Sequence, residues 1–207
     1  MKANKSLNRL TNEQVENLYN FLIKNNIVDK QVYTLASSLN NNPDAQTIYK
    51  DTKYIIVGSI TPPNVDNGGF YYCKNPFLYI VLDKSNIAKH NDYSDCRVHK
   101  GWKQIKKNLK EDKIGFIDVF DIVIRPNNSS ADEDILASSI DRKNILKVWS
   151  NNKDSIFICT SNLARKLFTE CVENLGDYGK RKDSIRQMRL FRTSLANAIE
   201  SMEEAIK

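Results

Sequence analysis

Short apolar runs alternate with amphipathic stretches along most of this chain. The runs are Tyr54–Gly58, Ile114–Ile124, Ser155–Thr160 and a weaker Met188–Thr193. Between or after them, Gly101–Leu109, Asp132–Trp149, Asn162–Leu175 and Leu195–Ile206 place apolar residues at helical spacing. Continuous apolar strands separated by amphipathic helices predict a parallel sheet covered on both faces. The expected fold class is therefore α/β, a three-layer α/β/α arrangement around a central parallel sheet of about four strands, preceded by N-terminal helices.

The N-terminal part reads differently. Thr11 followed by Gln14 is a capping-box pattern, and Val15, Leu18, Tyr19 and Leu22 recur at helical spacing. Residues Thr11 to Leu39 thus read as two helices, ended by Asn40-Asn41-Asn42-Pro43-Asp44. The expected division is a helical appendage over residues 1–50 and an α/β domain over residues 51–207.

Composition narrows the function classes. The chain has 207 residues, enough to bury a core without disulfides or a structural metal. No apolar run approaches the roughly 20 residues of a membrane-spanning helix, and the polar start Met1-Lys2-Ala3-Asn4 does not read as a secretory signal. The four cysteines, Cys73, Cys96, Cys159 and Cys171, form no Cys-x-x-Cys pair, and only His90 and His99 could join them. That pattern predicts no metal site and a reduced, cytoplasmic protein. Lys and Arg total 31 against 25 Asp and Glu, a net charge of +6. Such a balance suits a polyanionic partner, although a Lys-, Asn- and Ile-rich composition also raises it without function.

In parallel sheets the ligand site lies off the carboxyl ends of the strands, so the residues just after each run matter most. The first run leads into Gly58-Ser59-Ile60-Thr61-Pro62-Pro63, then Phe70, Tyr71, Tyr72 and Asn75-Pro76-Phe77. Small residues let backbone approach a ligand, and flat rings can stack a base, unless they only plug a core. The second run carries Asp118 and Asp121, then Arg125 and Ser129-Ser130-Ala131-Asp132, with Ser130 a plausible N-cap. The third run ends in Cys159-Thr160-Ser161-Asn162, and the fourth leads to Ser194-Leu195-Ala196-Asn197-Ala198. Lys180-Arg181-Lys182, Arg186 and Arg189 precede that last turn, either as a phosphate clamp or as a solvated face. Gly58, Thr160 and Ser194 are expected to converge at one end of the sheet.

In order and spacing these segments resemble motifs of the uracil-DNA glycosylase superfamily, in particular its mismatch-specific and deoxyinosine/hypoxanthine branches. The likeness rests on Gly58-Ser59, Tyr71-Tyr72 and Asn75-Pro76-Phe77. It continues through Gly115, Asp118-Val119, Arg125 and Ser130-Ala131-Asp132, and ends on Ser194-Leu195-Ala196-Asn197-Ala198, covering residues from Lys53 onward. What the resemblance implies is excision of a flipped, damaged base of the uracil or hypoxanthine type from DNA, by a monomer needing no metal or organic cofactor. It implies Asn75 as the group that orients the water. Gly58, Ser59, Tyr72 and Phe77 would line the base pocket, with Phe77 as the stacking ring, and Asp118, to which the motif assigns no role, could join them as a polar wall. Arg186, Arg189, Ser194 and Asn197 would meet the DNA. The alternative on the same fold is a catalytically inactive base- or nucleic-acid-binding protein.

Overall fold

The computed structural model describes residues 10–38, 47–60, 77–85, 87, 101–127, 131–188 and 194–207. Four strands, β2 (Tyr54–Gly58), β3 (Ile114–Asp118), β6 (Ile156–Cys159) and β7 (Ile185–Gln187), form a parallel sheet in the order β3-β2-β6-β7. Alternation sorts their side chains onto two faces. Tyr54, Ile56, Ile114, Phe116 and Ile158 point to the face covered by α2 (Phe77–Lys84), α3 (Gly101–Glu111) and α7 (Leu195–Ile206). Ile55, Val57, Ile117, Phe157 and Cys159 point to the face covered by α4 (Arg142–Asn151) and α5 (Asn162–Val172). The fold is the expected three-layer α/β/α sandwich.

The second face is packed around Trp149, Phe157 and Phe168. Phe157 lies 5.3 Å from Trp149 and 4.9 Å from Phe168 between ring centroids, all three being nearly sealed from solvent. Rings at this separation and tilt contribute about 0.5–1.5 kcal/mol per pair beyond the area they bury.

A second sheet stands beside the first. Strands β1 (Tyr33–Ser37), β4 (Phe120–Pro126) and β5 (Ala137–Ile140) are antiparallel in the order β1-β4-β5. Helix α1 (Asn12–Lys24) covers one face, where Val15 meets Ile122, Ile124 and Ala137. The other face, through Ala36, Phe120 and Val123, merges with the core beneath α4 and α5.

Several local expectations are corrected here. The capping box is present: Thr11 Oγ1 accepts from the Gln14 N–H, and the Gln14 side chain accepts from the Thr11 N–H. The second of the two expected N-terminal helices is instead β1, because Thr34, Leu35 and Ala36 pair with Arg125, Ile124 and Val123. The run Ile114–Ile124 is not one strand. It leaves the parallel sheet at Val119 and enters the antiparallel one as β4, with a register irregularity between Phe120 and Ile122. The stretch Asp132–Trp149 is a 3-10 turn at Asp132–Asp134, then β5, and only then α4, whose N-cap is Asp141. The last parallel strand lies at Ile185–Gln187, just before the expected Met188–Thr193, of which 189–193 fall outside the described residues. Ser130, the expected cap, also falls outside them.

Gly115 shows why β3 carries a glycine in its interior. A Cβ there would sit 2.7 Å from Ile48 Cγ1 and 3.3 Å from the Ile48 Cα, so residues 47–52 cross against the strand's backbone. Gly115→Ala is expected to cost about 1–3 kcal/mol through overpacking. Denaturant unfolding measures it, and an unchanged midpoint would mean that the segment is not seated on β3.

Candidate functional site

The carboxyl end of the parallel sheet gathers residues from distant parts of the chain. Gly58 and Asp118 are register partners at the ends of β2 and β3. Beyond them the Val119 and Phe120 N–H groups donate to the Gly58 and Ser59 carbonyls, each at 3.0 Å. On the other side of β2, Thr160 donates to the Val57 carbonyl through its N–H at 2.9 Å and its hydroxyl at 3.2 Å. Gly58 and Thr160 therefore do meet at one end. Ser194 caps α7 by accepting from the Asn197 N–H, and both Ser194 and Asn197 are exposed.

Asp118 is fully buried, and its Oδ2 accepts from the Ser38 hydroxyl at 3.4 Å. Ser38 follows directly on β1, so the antiparallel sheet supplies one wall around this carboxylate. Arg125, also fully buried, donates from Nη2 to the Ala131 carbonyl at 3.3 Å. The next residue, Asp132, accepts at Oδ2 from the Ser161 hydroxyl at 3.0 Å, while Ser161 caps α5 by accepting from the Ala164 N–H. The loop after β4 is thus tied to the first turn of α5. Carboxylate, hydroxyl and helix amino terminus together can take a ligand that presents both donors and acceptors.

The remaining expected residues are distributed unevenly. Asn75, Tyr72 and Arg189 lie outside the described residues, as does the side chain of Phe77, the first residue of α2. Ser59 is half-buried beside Gly58. Arg186 donates to the Asp183 carbonyl at 3.2 Å and to the Ala205 carbonyl at 2.9 Å, clipping the end of α7 to β7. Within the basic run, Lys180 and Lys182 are exposed, but Arg181 turns inward. Its guanidinium lies 3.8 Å from the Trp149 ring centroid and donates to the Trp149 and Asn152 carbonyls, at 3.0 and 2.9 Å, and to Asp177 Oδ2 at 2.8 Å.

Sequence reasoning missed Ser38, which lay within an expected helix. Cys159 and Cys171 are both buried. Burial pushes the Cys159 thiol up to about 12 and also raises Cys171, so neither supplies a thiolate nucleophile at neutral pH. No helix among the described residues is long and apolar enough to cross a membrane.

The Arg181 cluster yields a prediction with a pH sign. Hydrogen bonds from Arg181 first, and from Trp149 second, hold the Asp177 carboxyl below its ordinary 3.8. A depressed folded-state value means stabilisation that is present above the ordinary value and lost as pH falls through the depressed one. Asp177→Asn should therefore melt earlier than wild type at neutral pH, with the gap closing below the ordinary carboxylate range. Arg181→Ala should cost about 1–3 kcal/mol, and Arg181→Lys should recover little, since an ammonium lacks the planar fork. Thermal melts across pH, followed by Trp fluorescence, check all three.

No protein-family model matches the chain, and neither a curated protein nor a solved structure does.

Proposed function

We propose that the carboxyl end of the parallel sheet holds a nucleic-acid base. In this reading the chain is a DNA base-excision glycosylase that hydrolyses the N-glycosidic bond of a flipped uracil- or hypoxanthine-type base. One observation carries the reading: Gly58 and Asp118, from two motifs about sixty positions apart, are register partners at that end of the sheet. The hydrogen bond from Arg125 to Ala131 adds to it, because it joins the two halves of the middle motif.

The chemistry follows from the residue types. Flipping a base out of the stack costs a few kcal/mol, which stacking on Phe77 would offset at about 1–3 kcal/mol. Asp118, sealed from solvent and holding the Ser38 hydroxyl, serves as a polar wall of the pocket. The water-orienting role falls to Asn75, whose amide positions a water but is a poor base. DNA would be drawn by exposed lysines such as Lys180 and Lys182 more than by Arg186, two of whose donors are directed at backbone carbonyls.

Binding without cleavage is the second reading, favoured by the burial of Asp118, which leaves the handling of the water to Asn75. Excision from oligonucleotides bearing uracil, hypoxanthine or a mismatch decides between them. For a glycosylase, Asn75→Ala should lower excision by about 100- to 1,000-fold with DNA affinity nearly intact. If wild type releases no base and Asn75→Ala only melts earlier while Asn75→Asp does not, Asn75 is a helix cap and the enzyme reading fails. Affinity should fall steeply with salt in either case, and Lys180→Glu with Lys182→Glu should flatten that slope. An unchanged slope would exclude this surface from the DNA contact.

A further inference from the structure

The four parallel strands all begin at the end of the sheet opposite Gly58 and Asp118, and the segments leading into them are rich in lysine. Lys113 and Lys53 directly precede β3 and β2, Lys153 stands three positions before β6, and Lys182 three before β7. All four are exposed. The sheet order β3-β2-β6-β7 therefore sets one lysine at the start of each strand, in a row that follows the strand spacing of about 4.8 Å. Lys50, Lys110 and Lys180 flank the row and are exposed as well. The exposed carboxylates in the same segments are Asp51, Glu111, Asp154 and Asp183, four against seven lysines.

Three of these lysines are held in place by the fold. Lys110 Nζ lies 5.0 Å from the Tyr49 ring centroid, and Lys53 Nζ lies 4.9 Å from that of Tyr54. The Lys53 N–H donates to the Lys113 carbonyl at 2.7 Å, which sets these two residues side by side. Lys113 has a φ of 58° just past the end of α3. Glycine is the usual residue there, because a Cβ crowds the following carbonyl in the left-handed region. Among the described residues the other non-glycine with positive φ is Asn26, of a type that tolerates it. The exposed ion pair from Lys113 to Asp51, at 3.6 Å, offsets little of that strain. A lysine held in this conformation points to a use for its charge outside the fold.

We propose that this row is a contact surface for the phosphate backbone of a nucleic acid. Duplex DNA presents one negative charge per about 1.7 Å of its axis. A line of ammonium groups can therefore meet successive phosphates, each acting as a point charge. A membrane is the poorer match, because stable contact with lipid adds buried apolar side chains to the basic ones. None of the exposed large apolar side chains of the described residues falls in these segments. The inference goes beyond the base-binding reading and does not depend on it, since the row lies the length of β2 away from Gly58 and Asp118.

The test measures the affinity of the full chain for an undamaged duplex oligonucleotide across a range of salt, so that a site for damaged bases is not engaged. Lys53→Gln, Lys113→Gln and Lys153→Gln together should weaken binding by about 10-fold or more at low salt. They should also lower the salt slope by about 2–3, the scale of three lost phosphate contacts. A control, Lys24→Gln with Lys30→Gln and Lys143→Gln, removes the same charge from exposed positions on other elements and should change little. Thermal melts establish that both triple variants are folded. Lys113→Gly separates charge from structure: it should raise the melting temperature by about 2–4 °C, through relief of the left-handed conformation, and still weaken binding. Binding that survives the first triple replacement, or that the control weakens as much, overturns the proposal. So does a Lys113→Gly variant that melts earlier and binds as wild type does, since the lysine would then serve the end of α3. Capture of the chain by phosphatidylserine vesicles without binding to the duplex assigns the row to a membrane and equally overturns it. Failure to excise any damaged base leaves this surface standing, and loss of this surface leaves the base site standing.

Discussion

The backbone pairing of β2 on both of its edges is the constraint on which the rest of the molecule depends. All five of its residues are buried, with β3 on one side, β6 on the other and a helical layer against each face. A strand so enclosed has no freedom of register, since a slip of one residue would exchange its two apolar faces. Its last residue therefore fixes a level in the molecule: Asp118 stands beside Gly58, and Thr160 hangs from the Val57 carbonyl. The candidate site is the set of residues brought to that level.

The departure of the chain at Val119 follows from the same constraint. β2 ends at Gly58, yet the Gly58 and Ser59 carbonyls still accept from Val119 and Phe120. The chain stays hydrogen-bonded to β2 while it turns out of the sheet, and the irregularity in β4 absorbs the change of direction. What begins there is the antiparallel sheet, whose strand β1 delivers Ser38 to Asp118 and whose outgoing loop delivers Asp132 to Ser161. A buried carboxylate is tolerated only with hydrogen-bonding company. The second sheet is thus part of the site's wall as well as a support for α1.

The parallel sheet was legible because its strands are enclosed. Tyr54–Gly58 is uniformly apolar for the same reason that it is uniformly buried, and α5 and α7 announce themselves by helical spacing and by the caps Ser161 and Ser194. The antiparallel sheet was not legible. Tyr33–Ser37 alternates weakly, and Ala137–Ile140 contains two serines whose strand character comes only from pairing with β4. Ile114–Ile124 is apolar apart from Gly115, Asp118 and Asp121 because both halves are largely buried, and burial does not reveal which sheet each half joins. The candidate site was legible at Gly58, which ends an apolar run, and at Asp118, a carboxylate set inside one. It was not at Ser38, since a lone polar residue carries no signal until the fold supplies its neighbours.

Net charge reads differently once the arginines are located. Arg125, Arg181 and Arg186 each direct guanidinium donors at backbone carbonyls: Ala131, then Trp149 and Asn152, then Asp183 and Ala205. Guanidinium suits this work because it is planar, weakly hydrated and always charged, and its fork can serve two acceptors at once. The Trp149 and Asn152 carbonyls that Arg181 reaches, and the Ala205 carbonyl that Arg186 reaches, lie at the carboxyl ends of α4 and α7, where orphan acceptors and the helix dipole both favour a cation. These positive charges are therefore part of the fold's own electrostatics. A polyanion would meet the charges that remain solvated, among them Lys180, Lys182, Arg142 and Arg165. An interface built that way gives strong salt dependence and little sequence preference, so in the proposed reading discrimination among ligands falls to the end of the parallel sheet, where Asp118 and Thr160 are enclosed.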